Sequence, residues 1–191
     1  MAAPEDTTTD YPVIDPEKVP GEASLELKRE VLRLWLLIQT NPDHFASSIG
    51  ARLEPVEISV VPKREDAQVM EARIVAEIDV LPGMLNQVNF THGGCIAYLI
   101  DLCTSVPAVA LEVYHGKDPN PIMVSQSLAI QFLGPSKPGD RLRFVSTTVV
   151  VGGRVCTIYC EACLSRVWAK NRHRLVATAT HVKLEPNLSK L

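Results

Sequence analysis

The chain has 191 residues, of which 46% are apolar and 21% charged, and its formal net charge is −3. That length suits one domain, and the composition excludes a chain disordered throughout, a collagen-like repeat and a disulfide-stapled miniprotein. The slightly acidic balance argues against nucleic acid as a partner, because polyanion binders carry a basic excess. Five cysteines, an odd number, with no secretory signal ahead of them, read as reduced intracellular thiols.

Residues 1–22 contain Pro4, Pro12, Pro16 and Pro20, and set six acids against the single base Lys18. They lack both the apolar stretch of a signal peptide and the Arg-rich pattern of a mitochondrial presequence. They are expected to be a flexible or surface-draped leader. Ser24 is placed to cap a helix over Leu25–Gln39, on which Leu27, Val31, Leu34, Trp35 and Ile38 share one face. Asn41-Pro42 ends it, and a short helical turn is expected through His44 and Phe45. Val56, Ile58 and Val60 alternate with polar residues in a first strand that stops at Pro62. In a second, Met70, Ala72, Ile74, Ala76, Ile78 and Val80 point one way. Glu71, Arg73, Glu77 and Asp79 point the other, toward water, with Val75 the exception.

From His92 to about Val113 the chain is apolar nearly all round. Its length tempts a transmembrane reading, but Asp101 in the middle and Pro107 argue for a buried helix wrapped by something else, so no membrane span is expected. Thr91 is the expected N-cap, and Pro107 is expected to kink or end the regular part. Strands follow at about 123–133, 141–151, 154–165 and 175–184, with turns at Pro138-Gly139-Asp140, at Gly152-Gly153 and within 169–174. The order predicts an α+β fold: a single domain over 23–185 in which a curved antiparallel sheet wraps one long central helix, with an extra N-terminal helix. Residues 186–191 form a tail ending Ser189-Lys190-Leu191, the address read by the peroxisomal import receptor, which predicts a peroxisomal location.

The chemistry is expected where Asn86 to Gly94 runs into the buried helix. Amides in a first helical turn have no intrahelical acceptor and lie at the positive end of the helix dipole. Gly93 and Gly94 cost helix stability. They either let a substrate oxygen reach bare N–H groups or let the helix start pack closely on the sheet. Asp101 is the sharper signal, since a carboxylate on an apolar helix must be paired or used, and its helical neighbours offer no cation. Gly93 and Asp101 are eight residues apart, about 12 Å along a helix at roughly 1.5 Å per residue. One reacting carbonyl must lie near both its oxyanion donor and its base. If both serve one reaction, they come from different subunits, which predicts a dimer with two symmetric sites.

The pattern Asn86…His92-Gly93-Gly94…Asp101, followed by Ser125, Gly134-Pro135 and Gly139-Asp140, resembles the hotdog-fold acyl-CoA thioesterases of the PaaI-like group, including the eukaryotic acyl-CoA thioesterase 13 (THEM2-like) proteins. The likeness covers Leu25 to Lys183. It implies hydrolysis of acyl-CoA to free acid and CoA, without a cofactor or metal, in a homodimer or dimer of dimers. It implies that the Gly93 amide forms an oxyanion hole with His92 beside it, and that Asp101 of the facing subunit acts as general base or nucleophile. Asn86 and Ser125 would then hold the hydrolytic water. Arg154, after the Gly152-Gly153 turn, and Gly94 are the residues expected to meet the coenzyme. Pro107 and the 115–121 loop depart from the pattern and bear on the acyl pocket. The Cys160-x-x-Cys163 spacing sits inside a strand with no second ligand pair, so no metal is expected. By alternation Cys163 should face away from Cys156 and Cys160. His44, His115, His173 and His181 read as surface or satisfied histidines. Two other classes stay open: a hotdog enoyl-CoA hydratase, and a non-catalytic acyl-CoA binding or sensing protein.

Overall fold

The computed structural model describes residues 14–39, 41–117, 123–152, 154–165 and 174–185. The N-terminal helix α1 covers Leu25–Gln39, and Ser24 caps it, its hydroxyl accepting the Leu27 N–H at 3.2 Å. The buried face carries Leu27, Val31, Leu34 and Trp35, as the spacing predicts. The short helix expected near His44 forms three residues later, as α2 over Ser47–Gly50, after Ala46 takes a left-handed conformation.

Six strands follow: β1 (Glu54–Pro62), β2 (Met70–Asp79), β3 (Val124–Phe132), β4 (Arg141–Gly152), β5 (Val155–Leu164) and β6 (Arg174–Leu184), with the central helix α3 (Gly93–Tyr114) between β2 and β3. They form one antiparallel sheet in the order β1-β2-β4-β5-β6-β3. The long helix is apolar because it packs against all six strands, and most of it is buried. It is long and apolar enough to cross a membrane by length and composition, but here the sheet covers it. Expected to break at Pro107, it runs unbroken to Tyr114. Packing, more than its own hydrogen-bond ladder, holds a helix in a core, and Pro107 is itself buried.

The inward face of β2 is as predicted: Ala72, Ile74, Ala76, Ile78 and Val80 are at most 1% exposed. The outward face is not simply wet. Glu77 accepts from Arg141 and Arg143, each at 2.7 Å, and from the Ser165 hydroxyl at 2.9 Å. Arg73 pairs with Glu57, and Arg141 also reaches Glu54 and Asp79. These bonds hold the Glu77 carboxyl below the usual carboxylate range although burial pushes the other way. Val75, opposite Val145, is buried beside this cluster. On β5 the expected alternation holds: Cys163 lies opposite Arg143 on the outward face, beside the Glu77 cluster, while Cys156 and Cys160 face inward, and all three are buried free thiols.

Residues 14–22, the described part of the acidic leader, lie along β1. Ile58 donates to the Pro20 carbonyl at 2.9 Å, Glu22 donates to the Ser59 hydroxyl, and Val19 enters the core. Gly21 permits this approach: its φ is +114°, and a Cβ there would collide with the Ile58 backbone. Gly21→Ala is therefore expected to lower the unfolding free energy by about 1–3 kcal/mol in urea titrations. An unchanged midpoint would mean that the segment is not held to β1.

Candidate functional site

The loop before α3 is closed by a bridge between Leu85 and Thr91. Asn86 organises it: its Oδ1 accepts the N–H groups of Val88 at 3.0 Å and Phe90 at 3.1 Å, while its backbone N–H donates to the Phe90 carbonyl. Its side-chain NH2 has no acceptor among the described residues and remains a donor at the mouth of the loop.

Thr91 is not the cap. It is buried and tied to Ser136, which its N–H reaches at 2.8 Å and whose hydroxyl donates to Thr91 Oγ1 at 2.7 Å. His92 caps α3 instead, its Nδ1 accepting the Gly94 N–H at 2.9 Å. In the neutral ring that bond leaves the proton on Nε2, a donor in an exposed position. The two glycines divide the work. A Cβ at Gly94 would crowd the His92 ring at 3.0 Å, so this glycine makes room for the cap and its amide is engaged. The Gly93 N–H has no acceptor among the described residues, and its α-carbon faces the Phe132 ring. One free amide at the positive helix end, flanked by two side-chain N–H donors, is an electrophilic corner.

Beside this corner lies a cleft of about 330 Å³, lined by Phe45, Ile49, Met84, Leu85, Cys95 and Tyr98 together with His92 and Gly94. A larger cavity, about 490 Å³, lies under α1 against Trp35 and Gln39 and touches none of these groups.

The acidic half of the site is two turns further along α3. The Asp101 side chain is 43% exposed on a helix that is otherwise largely buried. The cation its helical neighbours lack comes from β6: Lys183 Nζ lies 3.3 Å from Asp101 Oδ1 and donates to Ser105 Oγ at 2.8 Å. The Lys183 side chain is only 5% exposed. Ser125, at the start of β3, brings its hydroxyl to 3.4 Å from the same Oδ1. His181 is buried completely, with Nδ1 2.6 Å from Thr104 Oγ1 and Nε2 2.9 Å from Ser125 Oγ.

The structure thus gathers Asn86, His92 and Gly93 at the helix start, and Asp101 and Ser125 in a second group farther along. Arg154 belongs to neither: it is exposed and donates to the Glu185 carbonyl at 2.8 Å. His181 and Lys183 are the residues that the sequence reading missed. His181 is satisfied rather than surface, and it contacts the site. The signal was present, because alternation along β6 puts Ala177, Ala179, His181 and Lys183 on one face, and all four are buried. A histidine and a lysine on the inward face of a strand need partners inside. Among the described residues no cluster of His, Cys, Asp or Glu is arranged to hold a metal. His173 and the Ser189-Lys190-Leu191 terminus lie outside the described residues.

A family model described as the Thioesterase superfamily matches residues 88–166, from the loop before α3 through β5. Similar solved structures include zebrafish thioesterase superfamily member 2, at TM-score 0.61 and 17% identity, covering 82% of this chain and 96% of that one. The E. coli PaaI protein from the phenylacetic acid degradation operon matches at TM-score 0.61 and 16% identity, covering 84% and 96%. AziG of S. sahachiroi matches at TM-score 0.57 and 20% identity, covering 78% and 100%. No curated sequence matches the chain. The resemblance to hotdog-fold thioesterases of the PaaI and THEM2 kind is borne out by these matches, and the fold is a single hotdog domain.

Burial holds the His181 imidazole neutral and lowers its pKa to about 4; the Lys183 ammonium adds to the shift and Asp101 opposes it. In the unfolded chain the ring titrates near 6.5. Between these values the unfolded chain binds the extra proton, so stability contributed by this group is complete above about pH 6.5 and lost as pH falls toward 4. The stability advantage of wild type over His181→Gln is expected to shrink by on the order of 3 kcal/mol from pH 7 to pH 4. Parallel denaturation curves across that range check it.

Proposed function

We propose that the chain is an acyl-CoA thioesterase, cleaving the thioester to a free acid and CoA at a site shared between two subunits. The observation that carries this reading is the pair of half-sites: a free Gly93 amide at the start of α3, and a half-exposed Asp101 carboxylate about 12 Å along it. The thioesterase-superfamily match over residues 88–166 supports thioester hydrolysis in general.

The strand order supports a way for two chains to complete one site. β3 ends the sheet, and its outer edge has no partner strand among the described residues. Ser125 at its start accompanies Asp101, whereas Phe132 at its end faces Gly93. A second β3 laid antiparallel on that edge about a two-fold axis sets the partner's Ser125 end against this chain's Phe132 end. The partner's carboxylate then approaches this chain's amide, and the reverse holds at the other site. Phe132 and Leu133, both more than half exposed, together with Val124, are the apolar surface such a pairing would cover.

In the complete site the thioester carbonyl oxygen points at the Gly93 N–H, with the His92 Nε2–H and the Asn86 amide as neighbouring donors. Asp101 of the facing subunit either takes the proton of an attacking water or attacks the carbonyl carbon itself. The developing oxyanion is stabilised by the preorganised amide, and its collapse expels the CoA thiolate. The cleft of about 330 Å³ beside His92 takes the first part of the acyl chain. Arg154 is a candidate contact for the coenzyme phosphates.

The test is thiol release from a panel of acyl-CoAs. Asp101→Asn is expected to lower kcat by about 10²–10³-fold or more. Gly93→Pro isolates the amide. Proline is favoured at the first helical position, and His92 already has the extended backbone that a residue before proline adopts, with φ −64° and ψ 134°. The fold should persist while the N–H is lost, with kcat falling about 10²–10³-fold. Unchanged turnover in both variants would falsify the assignment. Tight acyl-CoA binding without thiol release would indicate a sensor, and hydration of an enoyl-CoA without cleavage a hydratase.

We also propose a peroxisomal location, on the Ser189-Lys190-Leu191 terminus alone. A fluorescent protein fused ahead of the full chain is expected to be punctate and to become diffuse when residues 189–191 are deleted.

A further inference from the structure

A serine hydroxyl has one proton, and the Ser125 hydroxyl has two acceptors within reach: His181 Nε2 at 2.9 Å and Asp101 Oδ1 at 3.4 Å. Which one receives it is settled one step deeper in the core. Thr104 Oγ1 lies 2.7 Å from the Ile100 carbonyl, its near acceptor four residues back on α3. With the Thr104 proton spent there, Thr104 Oγ1 can only accept across the 2.6 Å contact to His181 Nδ1, so Nδ1 carries the ring proton. Nε2 is then bare. It cannot donate to Asp101, 3.6 Å away, and it accepts from Ser125.

We propose that His181 is a positioning residue that draws the Ser125 proton inward, leaving Ser125 Oγ and Asp101 Oδ2 as paired acceptors for the two protons of the attacking water. This rests on the thioesterase reading of the site. Lys183 completes the device: its ammonium engages Oδ1 and Ser105, while Oδ2 has no partner among the described residues. A water held by both its protons presents its lone pair away from the carboxylate, toward the carbonyl. On attack, one water proton passes to Asp101 and the other stays on the product acid. Ser125 keeps its own proton throughout. Of the titratable groups against His181, Asp101 lies on α3 and Lys183 on β6, and β3 contributes only the hydroxyl of Ser125.

The experiment uses the full chain. Ser125→Ala and His181→Phe should each lower kcat by about 10²-fold with KM little changed. The double variant should be no slower than either single one, because His181 acts only through Ser125. His181→Gln, which can present an acceptor oxygen, should recover part of the rate. Independently of turnover, nitrogen NMR of the His181 ring at pH 7 should show a protonated Nδ1 and a bare Nε2, the latter shifting in Ser125→Ala. A proton on Nε2, losses that multiply in the double variant, or a folded His181→Phe at full rate would each overturn the inference while leaving the hydrolase reading intact. A wild-type chain inert toward every acyl-CoA would sink that reading, and this inference with it.

Discussion

An apolar helix with one carboxylate at its middle sets two demands that the rest of the structure meets. The apolar residues require a cover, and a six-stranded sheet with helix α1 supplies it. The carboxylate requires either water or a cation. The sheet leaves Asp101 about half open and sends Lys183 from β6 to one of its oxygens. The cation itself is buried, which is tolerable because Asp101 and Ser105 both receive it. Strand β6 therefore both covers the helix and neutralises it. Its two polar inward residues follow Ala177 and Ala179 on the same face, and all four are buried.

The same helix separates the two groups proposed to share one reaction. Its rise per residue keeps Gly93 from ever meeting the Asp101 of its own chain. Nothing on the sheet compensates within one subunit, because Ser125 travels with the acid and Phe132 with the amide. The unpaired outer edge of β3 connects these two places. A strand edge that carries exposed apolar residues is a liability for a lone chain and an advantage for a two-fold pair.

Period-2 and period-3.6 patterning made the elements legible almost to their ends, since burial on one face repeats every second residue in a strand such as β2 and recurs with each turn in a helix such as α1. Local competition between side chains was not legible. Thr91 and His92 are both able to cap a helix, and the choice fell to His92 because Ser136, 45 residues on, takes the threonine hydroxyl. Asp101 was found because it violates its surroundings along the helix. His181 and Lys183 violate theirs only when the strand's face is considered, and their partners are 77 and 82 residues away in sequence. Long-range polar pairing is invisible to any window short enough to see periodicity.

Two carboxylates in this chain differ in how their oxygens are occupied. Glu77 has both oxygens occupied: Arg141 holds Oε2, and Arg143 and Ser165 hold Oε1. With three donors on it, two of them arginines, such an acid is tied into the sheet, and fixing the sheet's outer face is the role its partners suit. At Asp101 every close neighbour gathers on one oxygen, with Lys183, Ser125 and His181 all ranged about Oδ1. The ammonium engages one oxygen without filling the second, and exposure leaves that oxygen reachable. An acid held from one side and bare on the other matches the role proposed for it in proton or carbonyl chemistry. The asymmetry of its partners, more than its burial, is what marks it.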